Sequence, residues 1–278
     1  MATTTVEKLE AGGQPLAYRD LGSGPPVLLL HGWPTSSFLW RDVMPAIARQ
    51  NRAIALDLPG FGGSDKPLGV SYDFEFFEGA IDAFLAALEI DEVAIAVHDL
   101  GGPVGLHWAL HRPDRVTRVA LLNTLVYPEF SEAVLAFIRA CMEPSMRKFI
   151  TSPEGLEAAM RLGLAGDQGL SEEALAGVRE PFGTEESREA LADAGIGLQP
   201  EGFVDIARLL PSLRVPVRVV YGEQDRILPD VADTMARVQK DVPQAVVTAL
   251  PDCGHFLQEE APQGIGEQLA EFFAAPRS

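Results

Sequence analysis

The fold of this chain is decided by the segment Val93-Ala94-Ile95-Ala96-Val97-His98-Asp99-Leu100-Gly101-Gly102. Its first five residues are valine, isoleucine or alanine, which is typical of a buried strand. The apolar pattern of residues 103–112 predicts a helix directly afterwards. The segment therefore predicts a strand, a tight turn and a helix, with Asp99 at the tip of the turn and its side chain exposed above the sheet.

Short apolar runs alternate with helical patterns on either side of this segment. Further strands are predicted at residues 16–20, 27–30, 53–56 and 116–122, and helices at residues 38–50 and 74–88. Because strands and helices alternate, we predict an α/β fold with a mostly parallel central sheet that is flanked by helices on both faces.

The pattern changes at residues 127–213, where helical periodicity is interrupted by prolines and no strand pattern is evident. Strand character returns at residues 217–221, followed by a helix at 229–242, a strand at 245–250 and a closing helix at 260–273. We therefore predict that residues 1–126 and 214–278 form one α/β core and that residues 127–213 are inserted into it as a helical cap.

Composition excludes several classes of partner. The chain has 278 residues and a net charge of −18, which repels nucleic acid and anionic membranes. Its two cysteines, Cys141 and Cys253, have no C-x-x-C spacing, so neither a disulfide framework nor a structural metal is expected. No signal peptide and no apolar run of the ~18 residues that a spanning helix needs is evident, so we expect a cytoplasmic protein. Assembly into a homo-oligomer stays open.

Three candidate catalytic residues follow predicted strands, at the edge where parallel sheets form their sites. They are Asp99, Asp225 and His255, in the chain order nucleophile, acid and histidine that the α/β-hydrolase triad has. The last two are 255 − 225 = 30 positions apart, which leaves room for one helix and one strand. A carboxylate with an ordinary pKa of about 3.9 is ionised at neutral pH and displaces leaving groups from saturated carbon. The pattern therefore favours alkyl transfer over simple ester hydrolysis.

The chain resembles the α/β-hydrolase superfamily, and within it the haloalkane dehalogenases and epoxide hydrolases that use an aspartate nucleophile. The resemblance covers nearly the whole predicted core. It rests on the turn at Asp99 and on the segments His31-Gly32-Trp33-Pro34-Thr35-Ser36-Ser37-Phe38-Leu39-Trp40-Arg41, Asp57-Leu58-Pro59-Gly60-Phe61-Gly62-Gly63-Ser64-Asp65-Lys66-Pro67 and Gly254-His255-Phe256-Leu257-Gln258-Glu259.

The resemblance implies a role for each strand-end residue and needs no cofactor. Asp99 would attack carbon and form an alkyl ester. His255, oriented by Asp225, would then deprotonate the water that hydrolyses this ester. The backbone N–H groups of Trp33 and Leu100 would form the oxyanion hole.

The chain departs from these families at several positions. Haloalkane dehalogenases place a tryptophan after the nucleophile to hold the departing halide, whereas this chain has Leu100, which leaves the indole of Trp33 as one candidate donor. Epoxide hydrolases use cap tyrosines as proton donors, and Tyr127 at the root of the cap is the candidate here. Some dehalogenases keep their acid at the position of Asn123, but because this residue is an amide, Asp225 is the better choice.

Other polar and aromatic residues are interpreted as structural. Trp40 and Trp108 lie in predicted helices and are expected in the core. His98 is expected to pack or hydrogen-bond behind the turn. His107 and His111 lie one helical turn apart but have no acidic third ligand in the sequence pattern, so we interpret them as surface or packing residues and predict no metal site.

Three functions stay open at this point. The first is a cofactor-independent hydrolase that acts on small apolar halogenated compounds through an ester of Asp99, with Trp33 and Tyr127 contacting the substrate. The second is an epoxide hydrolase. The third is a ligand-binding protein without turnover, because a fold alone does not determine a function.

Overall fold

The computed structural model describes residues 5–166 and 169–275, and within these ranges eight strands form one sheet. The strands are β1 (Val6–Ala11), β2 (Gln14–Gly22), β3 (Pro26–Leu30), β4 (Arg52–Leu56), β5 (Val93–Asp99), β6 (Val116–Thr124), β7 (Val217–Gly222) and β8 (Val246–Leu250). Their order in the sheet is β1-β2-β4-β3-β5-β6-β7-β8.

The pairing of these strands confirms the predicted mostly parallel sheet. Strands β3 to β8 pair in parallel, while β1 pairs with β2 and β2 with β4 in antiparallel fashion. Strand β1 was not predicted, because it carries mostly exposed residues and is held by its backbone pairing with β2 rather than by burial. Because β3 and β5 to β8 are parallel, their carboxyl ends all meet at one edge of the sheet.

Twelve α-helices accompany the sheet in the described ranges. They are α1 (Met44–Ile47), α2 (Phe74–Ala87), α3 (Gly101–His111), α4 (Glu132–Met142), α5 (Pro144–Ile150), α6 (Pro153–Gly163), α7 (Glu172–Arg179), α8 (Glu185–Ile196), α9 (Pro200–Leu209), α10 (Val231–Asp241), α11 (Leu257–Glu260) and α12 (Pro262–Ala274).

The predicted helix at residues 38–50 was wrong. The structure has a short 3₁₀ helix at Ser37–Trp40 and the single turn α1 in its place. Pro45 explains the interruption, because it has no N–H to donate to a carbonyl one turn earlier and is accommodated in the first turn of a helix. The side chain of Ser36 caps the 3₁₀ helix by accepting from Phe38 N.

The described elements between β6 and β7 are all helical, and we call α4 to α9 the helical insertion. Pro144, Pro153 and Pro200 begin α5, α6 and α9, so these prolines start helices rather than only interrupting them. Ser131 and Ser152 cap α4 and α6 by accepting hydrogen bonds from backbone N–H groups. The insertion is therefore divided into short helices by local sequence signals.

The core of the protein lies on both faces of the sheet. All seven residues of β5 are buried, as are Trp40 and Trp108, the latter donating from Nε1 to Asp82 Oδ1 at 2.9 Å. Cys141 and Cys253 are buried and free. Within the described ranges, no helix is long and apolar enough to cross a membrane.

Candidate active site

The turn after β5 holds Asp99 in an unusual backbone conformation. Its φ is +49°, in the left-handed region that non-glycine residues rarely adopt. Thr124 Oγ1, at the end of β6, donates to the carbonyl oxygen of Asp99 at 2.7 Å. Gly102 packs so closely on Thr124 that a Cβ atom there would overlap its side chain. The strain at Asp99 is therefore maintained by neighbouring strand and helix contacts, as expected of a functional turn.

The carboxylate of Asp99 lies against two backbone donors. Trp33 N donates to Asp99 Oδ1 at 2.7 Å, and the backbone N–H of Leu100 lies close enough to the carboxylate to lower its pKa. Burial by itself raises the pKa of Asp99, but the nearby positive charge of His255 and the N–H of Leu100 outweigh it, so the pKa lies below its usual value. Asp99 is therefore ionised, and the two predicted oxyanion donors both face it.

His255 lies between two carboxylates. Its Nδ1 is 2.8 Å from Asp225 Oδ2, and its Nε2 is 3.5 Å from Asp99 Oδ2. Burial lowers the pKa of His255, but Asp225 and Asp99 together raise it to about 10. Nε2 makes no hydrogen bond to the described residues. The resting histidine is therefore a cation that lies between the two acids. Its Nδ1 is bound to Asp225, and its Nε2 faces Asp99 within ion-pair distance.

Asp225 is held by donors on both oxygens. Oδ1 accepts from the backbone N–H groups of Ile227 and Leu228, each at 2.8 Å, and Oδ2 accepts from Asn123 Nδ2 at 2.7 Å. Burial alone raises the pKa of Asp225, yet His255 and these donors keep it below its usual value. The carboxylate is therefore charged and fixed in orientation toward His255.

Asn123 has a part in the site that the sequence analysis did not assign to it. Its amide bridges two strands, donating to Asp225 and accepting from Gly222 N at 3.0 Å. Its backbone is also left-handed, with φ +30°. The signal in the sequence was its place at a strand end, but only the distance to Asp225 identifies it as the residue that positions the acid.

The loop that carries His255 is tied to its surroundings. His98 donates from Nε2 to the carbonyl of His255 at 2.9 Å, and burial lowers the pKa of His98 to about 4, so this ring is neutral. Glu260 accepts from Gly254 N at 2.8 Å and from Ala165 N, in the helical insertion, at 2.6 Å. Glu260, which no sequence motif singled out, therefore joins the histidine loop to the insertion.

A cavity of about 480 Å³ opens above Asp99, between the sheet and the helical insertion. Among the described residues its walls are mostly aliphatic and aromatic, with Trp33, Asp99 and Arg226 as the polar exceptions. Trp33 Nε1 is buried and has no hydrogen-bond partner among them. Apart from Arg226, which donates to the carbonyl oxygen of Leu164 at 2.7 Å, the site therefore presents one carboxylate and one unused indole N–H to an apolar space.

The expectation that Tyr127 contacts the substrate requires correction. Its ring is buried under the guanidinium of Arg237, and its hydroxyl donates to Asp241 Oδ2 at 2.8 Å. Burial and Asp241 raise its pKa above the usual value. Tyr127 is absent from the described lining of the cavity, because α10 binds its hydroxyl on the other side.

The fold and this arrangement of strand-end residues define an α/β-hydrolase. A family model described as the alpha/beta hydrolase fold matches residues 25–262, and the chain belongs to this family. Within the family it falls in the haloalkane dehalogenase branch. It is 32% identical to haloalkane dehalogenase 2 of Mycobacterium tuberculosis over 264 residues. This alignment covers 92% of this chain and 90% of the relative.

Solved structures agree with this placement. The haloalkane dehalogenase DbeA of Bradyrhizobium elkani superimposes with a TM-score of 0.86 at 28% identity, covering 97% of each chain. The epoxide hydrolase CorEH superimposes with a TM-score of 0.82 at 26% identity, covering 97% of this chain and 98% of the other. This protein is therefore a hydrolase, of the kind that includes both enzymes.

Proposed function

We propose that the protein is a dehalogenating hydrolase that forms an ester between Asp99 and the alkyl group of its substrate. The observation that carries the proposal is the placement of the Asp99 carboxylate. Oδ1 accepts from Trp33 N, and Oδ2 lies 3.5 Å from His255 Nε2 beneath an apolar cavity. With Oδ1 engaged by the backbone, Oδ2 is the oxygen that attacks carbon.

In the first step, Oδ2 forms a bond to the substrate carbon, and the halide leaves with the electron pair of the carbon–halogen bond. The departing halide carries nearly a full negative charge and needs a donor inside an apolar cavity. The indole N–H of Trp33 is buried there without a partner. Leu100 offers no second side-chain donor, so Trp33 is the group that would stabilise the halide.

In the second step, water attacks the ester carbonyl of Asp99. Alkylation removes the negative charge of Asp99, one of the two carboxylates that raise the pKa of His255. Its pKa therefore falls, the ring releases its proton to solvent along with the departing halide, and Nε2 becomes able to deprotonate the water. The backbone N–H groups of Trp33 and Leu100 stabilise the oxyanion that develops on Oδ1. As this intermediate collapses, its hydroxyl proton passes to the departing alkoxide oxygen, which releases the alcohol, restores the carboxylate and leaves His255 protonated as at the start.

The substrate class follows from the walls of the cavity. Phe130, Val134, Phe137 and Phe203 line it with apolar side chains, and a volume of about 480 Å³ holds a small organic molecule. We therefore propose small, apolar halogenated alkanes as substrates. Epoxides are the second candidate, supported by the likeness to CorEH. Epoxide opening needs a proton donor for the ring oxygen, and the described lining contains no tyrosine to supply it.

The mechanism is tested with His255→Gln, which should form the ester and fail to hydrolyse it. Intact-protein mass spectrometry after exposure to a primary bromoalkane should detect one added alkyl group, and peptide mapping should assign it to Asp99. The double variant Asp99→Asn/His255→Gln is the control and should stay unmodified. An adduct on another residue, or none despite bound substrate, would contradict the mechanism.

The choice of bond is tested separately on the unmodified enzyme. A primary bromoalkane and the terminal epoxide of the same chain length should be compared, measuring bromide release and diol formation. We expect faster turnover of the bromoalkane. Faster diol formation would leave the Asp99 ester in place and make the protein an epoxide hydrolase.

A further inference from the structure

A second polar cluster lies outside the cavity, where α2, α3 and α9 meet. It contains Glu78, His107, His111 and Asp205, and none of these residues lines the cavity. The sequence pattern contained no acidic partner for the two histidines because Glu78 and Asp205 come from distant helices. One ligand atom each from Glu78, His107 and His111 lies within 4.8 Å of the others. The expectation that these histidines have no acidic neighbour was therefore wrong.

The Nδ1 atom of each histidine is committed to an acceptor. His107 Nδ1 donates to Glu78 Oε1, and His111 Nδ1 donates to the carbonyl oxygen of His107 at 2.8 Å. Each ring therefore carries its proton on Nδ1, and in the neutral form each Nε2 presents a lone pair. This arrangement, with Nδ1 bound to a carboxylate or carbonyl, is how proteins orient histidines that ligate metals.

Both Nε2 atoms face the same carboxylate oxygen. Asp205 Oδ2 lies 2.9 Å from His111 Nε2 and 3.9 Å from His107 Nε2. A lone pair opposite a carboxylate oxygen is repulsive unless a proton or a metal cation lies between them. Ligands of a tetrahedral zinc ion with bonds of about 2.0–2.1 Å are separated by about 3.3 Å, which the two distances bracket.

Neighbouring charges hold both carboxylates in place. Arg112 donates to Glu78 Oε2 at 2.9 Å, and Arg208 donates from Nε to Asp205 Oδ1 at 3.0 Å. Asp205 therefore keeps Oδ2 directed at the histidines as a charged ligand.

We propose that a divalent transition-metal ion of the zinc type binds between Nε2 of His107, Nε2 of His111 and Oδ2 of Asp205. Imidazole and carboxylate groups are ligands that zinc takes, and two histidines four positions apart on one helix face are a recurrent pair in such sites. The side chain of His111 is 38% exposed and that of Asp205 is 27% exposed, so the ion can enter from solvent and keep water as its fourth ligand.

The ion would join the core to the helical insertion. His107 and His111 belong to α3, which follows Asp99, whereas Asp205 belongs to α9. Phe203, two residues before Asp205, forms part of the cavity wall. Binding would therefore stabilise α9 against α3 and restrain one wall of the cavity, with no ion at the catalytic residues.

The test uses chelator-treated full-length protein at pH 8, to which zinc chloride is added. Isothermal titration calorimetry should detect one zinc ion per chain. The melting temperature should rise by about 5 °C or more at a hundred times the dissociation constant. His111→Gln and Asp205→Asn should abolish both effects, and Glu78→Gln should weaken binding at least about tenfold by releasing His107.

The matched control is Glu201→Gln, which removes an exposed carboxylate from the same helix without touching the cluster. It should bind zinc as the unmodified protein does. A proton shared between His111 and Asp205 is the competing explanation, and it predicts no saturable zinc binding. That result would overturn the proposal, as would zinc stabilisation that survives in both His111→Gln and Asp205→Asn.

Discussion

The turn at Asp99 and the helical insertion above it differ in how tightly their side chains are held. Around the turn, the residues are buried and Asp99, Asp225 and His255 are joined by hydrogen bonds and ion pairs. In the insertion, apolar side chains that line the cavity are exposed: Met146 is 46% exposed and Phe149 is 55% exposed.

This difference separates reaction chemistry from substrate choice. In a close-packed region an altered side chain cannot be accommodated without moving its neighbours. Around Asp99 such a change displaces the nucleophile, and a displaced nucleophile reacts more slowly. Half-exposed side chains at a cavity wall have few fixed neighbours, so their replacement changes the shape of the site at little cost in stability. Substitutions around Asp99 should therefore reduce the rate, whereas substitutions in the insertion should change which substrates are accepted.

The largest effect is expected for Asp225→Asn. Loss of the carboxylate removes the main charge that raises the pKa of His255 and disturbs the proton on Nδ1. Hydrolysis of the ester should slow by up to about 10⁴-fold, and alkylation far less. Pre-steady-state measurements of ester formation and decay separate the two steps. Asp252→Asn, which changes an exposed carboxylate in the loop that carries His255, is the control and should be nearly silent, and equal effects of the two variants would refute the assignment.

A second test of the tight region is Gly32→Ala. The new Cβ would lie 2.6 Å from Asp99 Cγ and closer still to Oδ1, so the nucleophile must move. We expect about 10²-fold lower activity in a folded protein. Gly79→Ala is the matched control, because nothing lies within 4 Å of its added Cβ in α2, and it should stabilise the protein by about 0.5–1 kcal/mol. Full activity in Gly32→Ala would argue against a rigid site.

Trp33 belongs to both regions, since its backbone N–H faces Asp99 and its indole ring lies in the cavity. Trp33→Phe keeps the backbone donor and removes Nε1. Release of bromide should slow by about tenfold to a hundredfold, which corresponds to loss of one hydrogen bond to a charged group. Trp40→Phe also removes a buried indole N–H without a described partner but lies outside the cavity lining, and it should leave bromide release unchanged. Equal rates in the two variants would exclude Trp33 as the halide donor.

The smallest effect is expected for Phe149→Ala in the insertion. Because the side chain is half exposed, stability should change by no more than about 0.5 kcal/mol. KM for long bromoalkanes should rise by roughly threefold to tenfold while kcat stays the same. Met142→Ala, which is exposed and outside the described cavity lining, should change neither constant. A large fall in kcat for Phe149→Ala would mean that the insertion takes part in the chemistry.

Local sequence signals predicted most strands of the core and placed Asp99, Asp225 and His255 at strand ends, which the structure brings within 3.5 Å of one another along the chain of contacts through His255. Apolar runs and their periods depend only on neighbouring residues, and the carboxyl ends of parallel strands meet at one edge whatever the detailed packing. One helix was predicted at residues 38–50, but Pro45 divides it into two short pieces. Strand β1 was not predicted, because its exposed residues are held by pairing with β2.

What only the tertiary structure decided were the contacts between residues far apart in the sequence. Asn123 positions Asp225 from 102 residues away, and the hydroxyl of Tyr127 binds Asp241 instead of facing the substrate. Asp205 meets His111 only because α9 packs on α3. The sequence by itself determined which residues stand at strand ends and which chemistry they could perform. Their partners were decided by packing, because the direction of a side chain depends on every element that surrounds it.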